Sequence, residues 1–207
     1  LSFIIEEKTY KGKKMKKTKL TILIMLLIST SMLAWDGERE GFVLGLGFGP
    51  GFDVYNGIQW DAIGSDEDNN ASWAFAASPK IGYAFNNNIA LFYTRYPLTY
   101  NVKASNGNDV GIISCTEALQ VVYFLEDQAP SLFFGLGTGV GYYFDQEVME
   151  EPAMNYSPNS LKGLGLMASM GFEPFKHITT ELAINYRAPQ KDASVFAFSL
   201  LVSVMGF

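Results

Sequence analysis

The chain has 207 residues, of which 48% are hydrophobic and 14% aromatic, with 20 glycines, one cysteine and a formal net charge of −6. A single cysteine excludes an intramolecular disulfide, and the acidic excess excludes the clustered lysine and arginine that displace counterions from nucleic acid. On length alone the chain makes one domain.

Residues 1–14 have no reading as part of a fold and are taken as an upstream extension, with Met15 as the start. Lys16, Lys17 and Lys19 follow it, and then the apolar run from Leu20 to Ile28. A basic start, a short apolar run and a small-residue end make residues 15–34 a signal peptide, cleaved after Ser31 or Ala34. The uncharged stretch stops at Asp36, short of the roughly 18 residues that a spanning helix needs. Removing residues 1–34 takes away seven Lys and two Glu, which leaves eight basic and 19 acidic residues and a net charge of −11. Residues 35–40 form a short connecting segment.

From residue 41 onward the apolar residues recur with period two, the signature of strands rather than helices. Phe42, Leu44, Leu46 and Phe48 alternate with Val43, Gly45, Gly47 and Gly49. The clearest case runs from Leu132 to Phe144, where Leu132, Phe134, Leu136, Val140, Tyr142 and Phe144 share one face and Gly135, Gly137, Gly139 and Gly141 the other. Eight strands are expected near 41–52, 72–85, 89–98, 110–124, 132–144, 162–172, 178–187 and 195–207. Each is at least about as long as the 9 to 11 residues that a tilted strand needs to cross a bilayer. Connections at 86–88, 125–131 and 173–177 are short, those at 54–71 and 145–161 are long and acidic, and those at 99–109 and 188–194 are intermediate. Strands with one apolar face, loops segregated by length and a secretory start together predict an antiparallel up-and-down barrel in an outer membrane. Pro79, in mid-strand, predicts a bulge or a local break.

Charge orients the strands whose two faces are otherwise alike, because an arginine facing lipid near the midplane costs about 2 to 4 kcal/mol. That places Arg95 and Glu117 inside, with Leu91, Tyr93 and Tyr123, and joins them to Lys80, Glu181 and Arg187 in a network that fills the lumen. Eight strands enclose just enough room for side chains, so the network reads as a structural plug in preference to an ion path.

By its Gly-alternating strands Phe42 to Gly49 and Phe133 to Tyr143, its loop asymmetry and its terminal run Val195 to Phe207, the chain resembles the small eight-stranded outer-membrane barrels of the OmpX-like or opacity-protein type. The resemblance covers roughly residues 41–207. It implies that Phe207 serves as the signal read by the barrel-assembly machinery. In that family the terminal aromatic shares the lipid-facing parity, whereas Phe207 is opposite in parity to Phe196, Phe198, Leu200, Val202 and Val204. Either a bulge near Gly206 corrects the register or the signal is imperfect.

No catalytic, cofactor or metal site is expected. His177 is the only histidine, and it lies in a turn with no serine or carboxylate arranged around it as a nucleophile would require. Asp66, Glu67, Asp68, Asn69 and Asn70 offer oxygen ligands but lack the Gly and distal Glu spacing of an EF-hand, so they read as a hydrated loop tip. Two functional classes remain. One is a structural or surface-interaction barrel acting through loops that contain Tyr55, Trp60, Met149, Met154 and Tyr156. The other is a narrow, porin-like conduit or carrier for small ions or apolar molecules. Expected partners are outer-membrane lipid, lipopolysaccharide and a surface or host ligand, with no nucleic acid, and the expected state is a monomer.

Overall fold

The structure, a computed structural model, describes residues 38–56, 71–103, 109–145, 161–190 and 193–207. The extension, the leader, most of the two long acidic loops and the oxygen-rich run at 65–70 lie outside the described residues. Eight strands, β1 (Gly41–Asn56), β2 (Ala71–Ala84), β3 (Ile89–Lys103), β4 (Asp109–Phe124), β5 (Ser131–Asp145), β6 (Leu161–Phe175), β7 (Ile178–Gln190) and β8 (Ala193–Gly206), pair antiparallel with their neighbours. β8 pairs back on β1 and closes the barrel. Closure removes the unpaired edge that lipid could not hydrogen-bond.

The register fixes the barrel's shape. Followed once round, Gly45 pairs with Lys80, and the path continues through Thr94, Ala118, Gly139, Gly165, Arg187 and Val195. It returns on β1 at Tyr55, ten residues beyond its start. A stagger of ten over eight strands sets the strands about 40° from the barrel axis, with a rise of about 2.5 Å per residue along that axis. The strands extend past their expected ends, most of all β1 and β3, which carry Asp53 and Tyr100 into the sheet.

Period two sorts the side chains. Outward positions form an apolar belt in which Phe48, Leu136, Leu164, Leu182, Leu200 and Val202 are exposed. Trp73, at 78% exposure, and Phe196 stand towards one rim, and Tyr83, Phe85, Tyr123 and Phe175 towards the other. Inside, Val43, Phe92, Val122, Phe124, Phe133, Met205 and Phe207 cluster at the end with the short turns. A second cluster of Ala76, Tyr96, Leu98, Ala118, Met167, Ala183, Ala197 and Leu201 fills the middle. A water-soluble sandwich has no use for a continuous exposed belt, whereas a barrel solvated by acyl chains requires one.

Two strands correct the sequence reading. The structure turns Arg95, Leu91 and Tyr93 of β3, and Glu117 and Tyr123 of β4, outward. A strand cannot rotate one residue alone. Placing Arg95 inside would have expelled Phe92, Tyr96, Leu98 and Tyr100, all now buried in the lumen. The cost of the outward arginine is lowered because Glu117 is its direct partner across the β3–β4 ladder, with Nη2 to Oε1 at 2.7 Å.

Pro79 makes no bulge. The β2–β3 ladder pairs Phe75 with Thr99 and Ala76 with Leu98, then resumes in unchanged register at Lys80 and Thr94, so the proline produces a local break. Pro50 sits in a similar gap between Phe48↔Val202 and Gly51↔Ser199. At the carboxyl end the β1–β8 register runs unshifted to Leu44↔Gly206. Phe207 keeps its inward parity, is 1% exposed, and meets Phe124 edge-on at 6.3 Å between ring centroids.

Candidate functional site

The barrel interior holds the polar chemistry, and it is layered. At the end with the short turns, Arg39, just ahead of β1, folds into the mouth. Its Nε and Nη2 donate to Glu173 Oε2 at 2.8 and 2.5 Å, and its Nη1 donates to the carbonyls of Asn87 and Glu126. Its backbone N–H donates to Asn87 Oδ1, and its guanidinium stands 4.4 Å above the Phe124 ring. Two short turns and the end of β6 are therefore tied to one side chain. Outside this clasp a pocket of about 360 Å³ lies between the turns, lined by Arg39, Asp127, Gln128, Glu173, Phe175 and Lys176 among others.

The middle layer is Lys80, Glu181 and Tyr96. Lys80 Nζ donates to Glu181 Oε2 at 2.5 Å and the Tyr96 hydroxyl donates to Oε1 at 2.9 Å, with both charged side chains almost wholly buried. The ammonium also stands 5.6 Å from the Tyr96 ring centre. A buried charge pair persists only when its remaining hydrogen-bonding capacity is used, and the tyrosine serves both partners.

Nearer the end with the long loops, Arg187 is held from several sides. Its Nε donates to Thr116 Oγ1 at 2.7 Å and its Nη1 to Ser114 Oγ at 2.5 Å. Nη1 also reaches Asp53 Oδ1, and Nη2 the Tyr96 carbonyl, each at 3.3 Å. Ser114 donates in turn to Asp53 Oδ2, and the hydroxyls of Tyr100 and Tyr143 bond to each other. Room for the guanidinium comes from the glycine wall of β5. A Cβ at Gly141 would lie 2.8 Å from that of Arg187, closer than such atoms stand in real structures.

Of the five charges assigned to the interior from the sequence, the structure therefore places Lys80, Glu181 and Arg187 inside and Arg95 and Glu117 outside. The partners also differ from the expected set, since Arg187 pairs with Asp53, and Glu181 with Lys80. Asp53, Arg39 and Glu173 were not anticipated. Asp53 fell one residue beyond the expected end of its strand, although its odd parity matches that of Val43. Arg39 carried no signal, because its partners come from two separate turns and the end of β6. His177 sits in the β6–β7 turn at φ 70°, with Nδ1 2.9 Å from the Met205 carbonyl oxygen. Among the described residues no group of three His, Cys, Asp or Glu side chains is placed to hold a metal ion.

Buried polar groups on one wall find no protein partner. They are Thr179 Oγ1, both amide atoms of Asn185, Ser199 Oγ and Ser203 Oγ on β7 and β8, and among the described residues Ser78 Oγ on β2 and Gln120 Oε1 on β4 are in the same state elsewhere in the lumen. Groups of this kind in native interiors bind water.

No protein-family model and no curated protein sequence matches the chain. Solved structures do. The chain is similar in fold to Ail, the attachment invasion locus protein of Yersinia pestis, solved in complex with the heparin analogue sucrose octasulfate. The identity is 17%, over 80% of this chain and 99% of that one, with a TM-score of 0.53. It is also similar to Neisserial surface protein A, at 13% identity over 81% of this chain and 97% of that one, with a TM-score of 0.50. The shared feature is the small closed barrel of eight strands.

Proposed function

We propose that this chain is an outer-membrane barrel with a closed interior, which holds its long loops at the cell surface where they contact a host factor, a neighbouring surface or another envelope component. The observation that carries this reading is the interior itself. Ion pairs Arg39–Glu173, Lys80–Glu181 and Arg187–Asp53 occupy successive levels of a lumen only wide enough for side chains. A protein with so filled an interior does its work on its outside, and in surface barrels recognition resides in the loops.

Charge narrows the ligand. Residues 57–70 and 146–160 together carry seven Asp and Glu and no Lys or Arg. Ail was solved with a polyanion, but loops of this composition would repel one. They suit a basic peptide or protein surface, or divalent cations that bridge them to the phosphates of lipopolysaccharide. The partnerless hydroxyls on β7 and β8 favour a second reading, a thin water-lined conduit. One pair of measurements separates the two. Deleting residues 57–70 or 146–160 should abolish binding to cells or basic ligands while leaving the barrel folded, and the wild-type barrel in a planar bilayer should pass little or no steady current. Large steady currents that survive loop deletion would overturn the loop reading in favour of the conduit.

A further inference from the structure

The outer face carries a feature that neither loops nor lumen explain. Arg95 and Glu117 lie on the lipid side of the barrel, in direct register across the β3–β4 ladder, with the Arg95 side chain 51% exposed and that of Glu117 22% exposed. Arg95 is six residues along β3 from Ile89, at the edge of the belt. At about 2.5 Å per residue along the axis, the pair stands about 15 Å into a belt about 25 Å tall. The opposite edge of the belt is then about 10 Å away.

The pair is internally neutral but not internally satisfied. A guanidinium carries five N–H donors, and half of this side chain faces outward from the barrel. Tyr93 Oη already donates to Glu117 Oε2 at 3.1 Å, so the carboxylate is engaged on both oxygens, and the guanidinium bonds to the Cys115 thiol as well as to Glu117, which leaves part of its five-donor fork facing the membrane. The outward side chains around it are of mixed size: Ala77 and Pro79 on β2, Pro97 on β3 and Thr138 on β5 are small, whereas Tyr93 on β3, Leu119 on β4 and Val140 on β5 are large. The pair is therefore the polar centre of an otherwise apolar face at membrane depth, and polar side chains so placed are sites at which membrane segments associate.

We infer that, in place of the monomer expected from the sequence, two copies of this chain pair in the membrane through the β3–β4 face centred on Arg95 and Glu117. The charge pattern selects the occupant. Two barrels inserted the same way are related by a two-fold axis along the membrane normal, and such an axis turns left into right while preserving depth. Run between β3 and β4, it sets Arg95 of one copy against Glu117 of the other, and the reverse. Four charges then alternate in a ring, and each guanidinium gains a second carboxylate. A partner without an acidic group at this depth would leave the arginine's donors as they are. This interface is independent of the loop-binding reading, because it lies on the opposite kind of surface.

The test uses full-length protein refolded into phosphatidylcholine vesicles, with donor and acceptor dyes at the amino termini of separate batches. Energy transfer should exceed that expected for random mixing and rise with protein-to-lipid ratio. Arg95→Glu and Glu117→Arg, each alone, should require at least ten times more protein per lipid for the same transfer. Mixing donor-labelled Arg95→Glu with acceptor-labelled Glu117→Arg should restore transfer, because the two faces are again complementary. Heat-modifiable migration on gels reports whether each variant is folded. If a variant does not fold, wild-type transfer still decides the matter. Random-level transfer for the wild type would overturn the proposal, and so would transfer that folded single variants leave unchanged.

Discussion

Replacing Glu181 by Gln keeps the shape of the middle layer and the acceptor for the Tyr96 hydroxyl, but removes the charge that faces Lys80 at 2.5 Å. The Lys80 side chain is 3% exposed and cannot withdraw into water, so the change leaves an ammonium buried without a counterion. Breaking a buried pair from one side costs about 3 to 5 kcal/mol. Lys80→Met should cost somewhat less, because the Tyr96 hydroxyl still serves the carboxylate. In the double variant nothing charged remains, and methionine and glutamine fill nearly the same volume. Replacing both members of such a pair is often close to neutral, so the double variant should recover most of the loss, with a coupling of about 2 to 4 kcal/mol. Equilibrium unfolding in urea from lipid vesicles, followed by tryptophan fluorescence, reads these differences. Trp73 stands 78% exposed on the outer face and loses its acyl-chain contacts when the barrel unfolds. Single-variant losses that add within about 0.5 kcal/mol in the double would show that the two charges do not interact, and the layered interior would lose its central element.

Leu136→Arg on the outer face should lower stability by about 2 to 4 kcal/mol in a bilayer, whereas Gly45→Ala should be close to neutral. The added Cβ at Gly45 meets nothing nearer than the Lys80 Cβ at 3.4 Å. Equal penalties in the same unfolding assay would mean that the outer face is not solvated by lipid. Gly139→Ala should prevent folding, since its Cβ would fall 1.9 Å from the Glu117 carbonyl oxygen, and a folded variant on a heat-modifiability gel would contradict the packing. Protease added to intact cells should cut within 54–71 or 145–161 and spare 86–88. Cutting confined to permeabilised cells would invert the topology. At His177, burial against the barrel end holds the imidazole pKa below its ordinary value of 6.5, with Lys176 acting in the same direction and the Met205 carbonyl and Glu173 opposing. The unfolded chain therefore binds the proton first, and stability should fall as pH drops from about 6.5 towards the lower folded value. His177→Asn, which tolerates φ 70°, should flatten that part of the profile, and identical profiles for variant and wild type would remove His177 from the account.

Legibility followed the contrast between the two faces of each strand. On β5 a run of glycines opposes a run of large apolar residues, and on β7 Glu181, Asn185 and Arg187 oppose Ile178, Leu182 and Ile184, so parity could be read directly. On β3 both faces are apolar or aromatic, and a single arginine was left to decide. The rule that charges avoid lipid holds for isolated charges, but Arg95 and Glu117 are equally distant from residue 106, the middle of their hairpin. A symmetric hairpin sets them opposite each other on the same face, whichever face that is. The sequence held this sign that the two travel together, but no sign of which way they point. The inward packing of Phe92, Tyr96, Leu98 and Tyr100 settled the direction, and that depends on what the other seven strands bring to the lumen. The clasp of Arg39 was invisible for the same reason, because its partners become neighbours only once the barrel has closed.

That clasp makes the two ends of the barrel unlike as places to build. An insertion at 86–88 or 125–130 displaces the Asn87 or Glu126 carbonyl that Arg39 holds, and with it the charge that neutralises Glu173, so a change in one turn is felt in the other and at the end of β6. Towards the opposite rim the shared fastener is Arg187, which holds strand residues Asp53, Tyr96, Ser114 and Thr116 and no turn atom among the described residues. Foreign peptides placed at 57–70 or 146–160 would extend from the β1–β2 and β5–β6 hairpins, half a turn apart round the barrel, which makes this chain a scaffold for displaying two well-separated epitopes.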